Sequence, residues 1–83
     1  GRKPKDGEIN LNGSVNDAER LIRAVTHPYP GAFYYKDNVK KIIWSAKLVT
    51  KKKLESHNDE YLEFHDGCLL IEETEEIEDI LLD

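Results

Sequence analysis

Five consecutive residues, His27-Pro28-Tyr29-Pro30-Gly31, exclude regular secondary structure at one point of this 83-residue chain. Each proline lacks a backbone N–H and restricts the residue before it to extended conformations, and glycine accepts turn conformations that other residues avoid. The segment is therefore predicted to form a rigid turn. It separates a part of the chain with helical periodicity from a part with strand periodicity.

A helix is predicted upstream of this turn, with Ser14 as its N-cap. Asp17 lies three residues later, in the capping-box position, where a carboxylate favours the positive end of a helix. Pro28 ends the helix near Thr26. The apolar residues of this segment recur on one stripe with a helical period: Val15, Ala18, Leu21, Ile22 and Val25.

Downstream of the turn, alternating apolar residues and turn signals predict about four short antiparallel strands. The strands are expected at residues 32–36, 40–50, 61–65 and 68–73, with turns at Asp37-Asn38 and Asp66-Gly67 and a polar loop at 51–58. In the second strand, one alternating set is predicted to face the core: Ile42, Trp44, Ala46 and Leu48.

These elements predict a single α+β domain, because the length allows only one modest core. One N-terminal helix is expected to pack on a small antiparallel sheet that is curled or forms an OB-like open barrel. Residues 1–13 are predicted to be an interdomain linker and residues 14–73 the folded domain. Residues 74–83 are predicted to be an acidic tail, either a short helix or a frayed end.

Charge is distributed unevenly along the chain. All 12 Lys and Arg residues lie in residues 1–53 beside five acids, whereas residues 54–83 contain 12 acids and no Lys or Arg. A basic face with interleaved aromatic residues would be typical of a nucleic-acid site, although the acidic segment opposes its field. The candidate contacts are Arg20, Arg23, Lys40, Lys41, Lys51, Lys52 and Lys53.

The sequence contains no recognisable catalytic constellation. The three histidines, at positions 27, 57 and 65, lack metal-ligand spacing, so no metal site and no catalytic residue is expected. Cys68 is the single cysteine, which excludes an internal disulfide; with no visible secretory signal, this fits a cytoplasmic protein. No apolar run approaches the ~20 residues of a membrane span, so no membrane partner is expected.

Four segments in order resemble one family. Residues 22–33 resemble the signature I-R-A-x-x-x-P-[YW]-P-G-A-[FW], and residues 2–9 resemble the linker R-x-P-E-D-G-x-I. Residues 40–46 resemble the strand K-x-x-I-W-x-A, and residues 66–71 resemble the hairpin D-G-x-L-x-I. Together they are similar to the C-terminal domain of formyltransferases that use 10-formyltetrahydrofolate. This family includes methionyl-tRNA formyltransferase and enzymes that N-formylate amino sugars on nucleotide carriers.

The resemblance implies an accessory domain. The catalytic Asn, His and Asp of the family lie on a preceding Rossmann-like domain, and the isolated 83 residues are therefore expected to be inactive. The full-length enzyme is expected to transfer a formyl group from 10-formyltetrahydrofolate to an amine. No cofactor is expected in this chain, and the oligomeric state stays open.

The shortened segments after residue 53 and after residue 73 favour the sugar-modifying branch, with a nucleotide-linked amino sugar as acceptor. The alternative is the tRNA-binding domain of a methionyl-tRNA formyltransferase, for which a net charge of −5 is unfavourable.

The resemblance also implies residue roles. Arg2, Pro4 and Asp6 would border the active site, although Lys5 replaces the usual Glu between them. The turn that the resemblance assigns to structural or interdomain packing consists of Pro28, Tyr29, Pro30 and Gly31.

Overall fold

The computed structural model describes residues 4–50 and 59–78, excluding the side chains of residues 4 and 5. It contains a 3-10 helix (Pro4–Gly7), one α-helix, α1 (Val15–Val25), and four strands: β1 (Ala32–Lys36), β2 (Val39–Val49), β3 (Glu60–Phe64) and β4 (Gly67–Glu78). The strands form one antiparallel sheet in the order β1-β2-β4-β3. This arrangement confirms the predicted α+β class with a curled, half-barrel sheet.

The hydrophobic core lies between α1 and the concave face of the sheet. The predicted helical stripe is buried there, with Leu21 packed at its margin. Ile9 from the segment before the helix also enters the core. The sheet contributes Ala32, Tyr34, Ile43, Leu62, Phe64, Leu69 and Ile71. Among the residues that the structure describes, no helix is long and apolar enough to cross a membrane.

Two side chains cap the N-terminus of α1. The Asp17 N–H donates to Ser14 Oγ at 3.0 Å, which confirms the predicted N-cap. The Val15 N–H donates to Asp66 Oδ1 at 2.9 Å, from the turn between β3 and β4. Gly67 allows this approach, because a Cβ at that position would lie 2.7 Å from Val15 Cγ1. The helix start is thus fixed to a turn 51 residues further along the chain.

That turn lies one residue earlier than predicted. Phe64 pairs with Gly67, so His65 and Asp66 form the loop and Gly67 begins β4. The prediction of Asp66-Gly67 as the turn pair was wrong in its register. The reason is the contact with α1, because Asp66 caps the helix and Gly67 provides the space beside Val15.

The predicted core face of β2 was wrong in part. The pairing of β2 with β4 is irregular between Ile43 and Ala46, and this changes which side chains point inward. Ile43 is fully buried in the core, and Ala46 packs against that cluster. Trp44 is only half-buried, and Leu48 is 49% exposed. Strict alternation therefore cannot be extended through this strand.

The acidic segment continues as a strand. Residues 74–78 belong to β4 and pair with residues 39–43 of β2, so the alternative of a short helix was wrong for this part. Backbone pairing with β2 and contacts from Lys41 to Glu76 and from Trp44 to Glu75 favour the extended form. Residues 79–83 lie outside the described residues, as does the loop predicted at 51–58.

A half-buried lysine connects two distant parts of the curled sheet. Lys41 Nζ lies 2.8 Å from Glu60 Oε2 on β3 and 3.3 Å from Glu76 Oε1 on β4. The hydrogen bond to Glu60 raises the pKa of Lys41 above its usual value of 10.5. Burial raises the pKa of the neighbouring Tyr34 hydroxyl above 10.0. The folded state therefore retains both protons more strongly than an unfolded chain does.

Replacing Asp66 tests the helix cap. Asp66→Ala removes the acceptor of the Val15 N–H and should lower the free energy of unfolding by about 1–2 kcal/mol. Asp66→Asn keeps an acceptor oxygen and should retain most of the stability. Urea denaturation of the three proteins measures the difference. Equal losses in both variants would show that the hydrogen bond at Val15 does not stabilise the helix.

Alkaline pH tests the environment of Tyr34. Because its pKa is raised on folding, its contribution to stability is complete below pH 10.0 and is lost as the pH rises through the folded-state pKa. The urea midpoint of the wild type should therefore decline above pH 10.0, and Tyr34→Phe should show a shallower decline. Identical slopes would contradict the assignment.

Candidate functional site

The predicted linker and the predicted turn are in contact. A Cβ on Gly7 would lie 2.7 Å from the Gly31 carbonyl oxygen, so the two backbones touch at this point. Glu8 forms a parallel bridge with Phe33, and the Ile9 N–H donates to the Phe33 carbonyl at 2.8 Å. We call Pro4–Gly7 together with residues 28–31 the linker–turn site. It unites two sets of candidate residues that lie more than 20 positions apart in the sequence.

The backbone of the turn is held on both sides. The Tyr29 N–H donates to the Thr26 carbonyl at 3.0 Å, and the Gly31 N–H donates to the Val25 carbonyl at 2.9 Å, so the turn caps the end of α1. Gly31 has φ +93°, and a Cβ there would lie 2.6 Å from Ile42 Cγ2. Only glycine allows both the positive φ and this close approach to Ile42. The Tyr29 side chain remains 54% exposed on this fixed backbone.

Trp44 links the turn to the sheet. Its ring stacks on His27, with centroids 3.8 Å apart and an angle of 13° between the planes. Its Nε1–H donates to Glu75 Oε1 at 3.2 Å, and its carbonyl accepts from Thr26 Oγ1 at 2.9 Å. Sequence reasoning missed this cluster because alternation assigned Trp44 to the core. The one sequence signal for this cluster was the position of His27, which follows the predicted helix end directly before Pro28.

Two of the three linker residues expected at an active site lie within the described residues. Arg2 lies outside the described residues. Pro4 begins the 3-10 helix, and Asp6 is exposed within it. The role of these three residues at an active site therefore stays a prediction.

The predicted nucleic-acid contacts on α1 are engaged by neighbouring acids. Arg20 pairs with Asp17 at 3.4 Å and Arg23 with Glu19 at 2.7 Å, both on the helix surface. Exposed pairs of this kind are weak, but they lower the free positive charge of this face.

The strand members of the same set do not join them. Lys40 and Lys41 are consecutive in β2 and point to opposite faces of the sheet. Lys40 Nζ lies 4.2 Å from the centre of the Phe33 ring, whereas Lys41 is held by two carboxylates. The remaining three candidates, at positions 51–53, lie outside the described residues. The four described members thus form no common surface.

The cavity and the possible metal ligands among the described residues lie apart from the linker–turn site or form no site of their own. A cavity of about 530 Å³ lies near the end of β2, lined by Lys47, Leu48, Val49, Thr50, Asp59, Tyr61 and Leu70. It includes no residue of the linker–turn site. Within residues 4–50 and 59–78, no group of His, Cys, Asp and Glu is placed to hold a metal ion.

Comparisons with known proteins agree with the motifs. The family model described as formyl transferase, C-terminal domain, matches residues 2–79. The chain is also 53% identical over 47 residues to the bifunctional polymyxin resistance protein ArnA of Wigglesworthia glossinidia brevipalpis. That alignment covers 57% of this chain and 7% of the length of the relative.

Replacing Gly31 tests the fixed turn. Gly31→Ala places a methyl group against Ile42 and Trp44 in a left-handed backbone conformation, which should destabilise the domain by about 1–3 kcal/mol or more. Gly13→Ala serves as a matched control, because its backbone is not left-handed and a Cβ there would approach no atom closer than 3.2 Å. Thermal unfolding of both variants gives the comparison. A Gly31→Ala protein as stable as the control would contradict the packing described.

Proposed function

Because the chain belongs to the family of formyl transferase C-terminal domains, we propose that it is the non-catalytic accessory domain of an amino-sugar formyltransferase. The full-length enzyme transfers the formyl group of 10-formyltetrahydrofolate to an amine of a nucleotide-linked amino sugar. A match to 7% of a bifunctional relative supports a module that works within a longer polypeptide. The proposed partner is a preceding Rossmann-like catalytic domain.

The contacts that the described basic residues make favour an amino sugar over tRNA as the formyl acceptor. Binding of tRNA needs several Lys or Arg side chains that are free to contact phosphates. Here Arg20, Arg23 and Lys41 are each paired with carboxylates, and Lys40 lies over an aromatic ring. A nucleotide-linked sugar that is bound by the catalytic domain requires no free Lys or Arg side chains on this domain.

The described residues do not fit a catalytic or cofactor site of their own. His27 stacks on Trp44, and His65 lies 4.0 Å from Asp66 at the β3–β4 turn, so the two histidines serve different structural contacts. A pterin cofactor needs a largely enclosed pocket with converging polar groups. The linker–turn site is instead a packed junction with an exposed tyrosine. We therefore assign 10-formyltetrahydrofolate to the preceding domain.

The linker–turn site gives this accessory role a physical basis. Ile9 is anchored in the core and Gly7 abuts Gly31, so the chain enters the domain along one fixed path. A fixed entry holds Asp6 in a constant orientation toward the catalytic domain. Orientation of this kind lowers the entropy cost of assembling an active site.

The choice of acceptor can be tested with the full-length protein. We expect formylation of nucleotide-linked amino sugars with 10-formyltetrahydrofolate as donor, and little or no formylation of methionyl-tRNA. The 83-residue chain alone should transfer no formyl group and serves as the control. Efficient transfer to methionyl-tRNA would support the alternative, a tRNA-binding accessory domain. Turnover by the 83-residue chain would refute the accessory role.

The linker is tested in the same assay. Asp6→Ala in the full-length protein should lower kcat/KM, by about tenfold if the carboxylate orients a group at the active site. Glu8→Ala, an exposed acid two residues away, is the matched control and should retain activity. An unchanged kcat/KM in Asp6→Ala would remove this residue from the mechanism.

A further inference from the structure

The side of the sheet that α1 does not cover carries an apolar surface of its own. Strand pairing places most of its members opposite the core-facing residues of β1, β2 and β4. Trp44 joins them beside Ile42 at the Gly31 turn, and His27 stacks on Trp44. We call this surface the outer aromatic face; its members are His27, Phe33, Tyr35, Lys40, Ile42, Trp44 and Ile77.

One row of this face exposes two large side chains, Tyr35 and Ile77, on either side of a lysine. Tyr35 pairs directly with Lys40, and Lys40 pairs with Ile77 on the next strand. Tyr35 is 47% exposed and Ile77 is 38% exposed. The solvent side of an antiparallel sheet normally alternates to polar residues. Exposed apolar residues grouped in this way indicate a surface that contacts another protein surface.

The next row continues the apolar surface toward the linker–turn site. Phe33 and Ile42 pair with each other and are both buried, although they point away from α1. The Tyr35 ring meets the Phe33 ring edge-on, with centroids 5.8 Å apart. A Cβ on Gly31 would contact both Ile42 and Trp44, so the turn borders this row directly.

The charged groups on this face are already engaged. Lys40 lies over the Phe33 ring, and Glu75 accepts a hydrogen bond from Trp44. Neither contact neutralises the charge, so a partner that covers the face must leave the Lys40 ammonium and the Glu75 carboxylate at its solvent-exposed rim or offer them polar groups. Burial of tyrosine, tryptophan and isoleucine would provide the free energy of contact. The surface that matches these three side chains is thus apolar.

The path of the chain indicates which surface covers the face. Pro4–Gly7 reaches Gly31, and residues 8 and 9 then run along β1 beside Phe33. A domain that precedes residue 4 therefore joins this one at the Gly31 turn, which borders Ile42 and Trp44 of the outer aromatic face. We propose that the outer aromatic face docks an apolar surface of the preceding catalytic domain of the same polypeptide. This inference rests on the proposed function, which supplies that domain.

Hydroxyl-radical footprinting of the full-length protein tests the docking. Ile77 and Leu48 form a matched pair, because both are aliphatic, part-exposed residues at opposite ends of the β2–β4 pair. If the face is covered, Ile77 and Tyr35 should be oxidised several-fold more slowly than their exposure in the domain predicts, while Leu48 should react as predicted. Oxidation of Ile77 at a rate comparable to that of Leu48 would overturn the proposal.

The protein concentration in the same experiment identifies the occupant. Protection by the preceding domain should not change with dilution, because the contact is intramolecular. Protection that disappears on dilution, together with a dimer in sedimentation, would assign the face to a second copy and overturn the proposal.

Variants give a second, independent readout. The double variant Tyr35→Ser with Ile77→Ser should increase the oxidation of Trp44 in the full-length protein and lower its kcat/KM, whereas Leu48→Ser should change neither. Formyl transfer to an amino sugar by a protein whose face is unprotected would leave the proposed function intact and refute the docking. Absence of formyl transfer to any amine by the wild type would instead refute the proposed function.

Discussion

The hydrogen bond from the Val15 N–H to Asp66 is the contact on which the arrangement of the domain depends. It joins the first turn of α1 to the β3–β4 turn, 51 residues further along the chain. At the other end of α1, Thr26 and Gly31 bind the chain to β2 and close the helix. A single helix fixed at both ends can then cover the concave face of a small sheet, where one modest core must provide most of the stability.

The curl of the sheet follows from the irregular pairing between β2 and β4. Around residues 43–46 the strands change which side chains face inward, and Lys41 then reaches carboxylates on both β3 and β4. The same change brings Trp44 to the outside, where it stacks on His27. One local deviation from alternation thus creates a closed core on one side and an aromatic surface on the other.

The sheet has a closed core on one side and an aromatic surface on the other, which agrees with an accessory role in a larger enzyme. The linker does not enter as a loose tether, because Ile9 is part of the core and Gly7 contacts the turn at Gly31. The four described basic residues among those that suggested nucleic-acid binding form ion pairs or a contact with Phe33. Positive charge along the sequence is therefore a poor guide to the surface of this domain, since the acids of residues 60–78 fold back beside it.

The sequence by itself determined the local elements. The Ser14 cap, the bounds of α1 and β1 and the turn at residues 28–31 follow from side-chain and backbone chemistry within a few residues, and the motif order identified the family. Only the tertiary structure decided the register of the Asp66 turn, the inward position of Ile43 and the strand at residues 74–78. It also brought the linker to the turn. Each of these depends on contacts between residues at least 20 positions apart, which local periodicity does not contain.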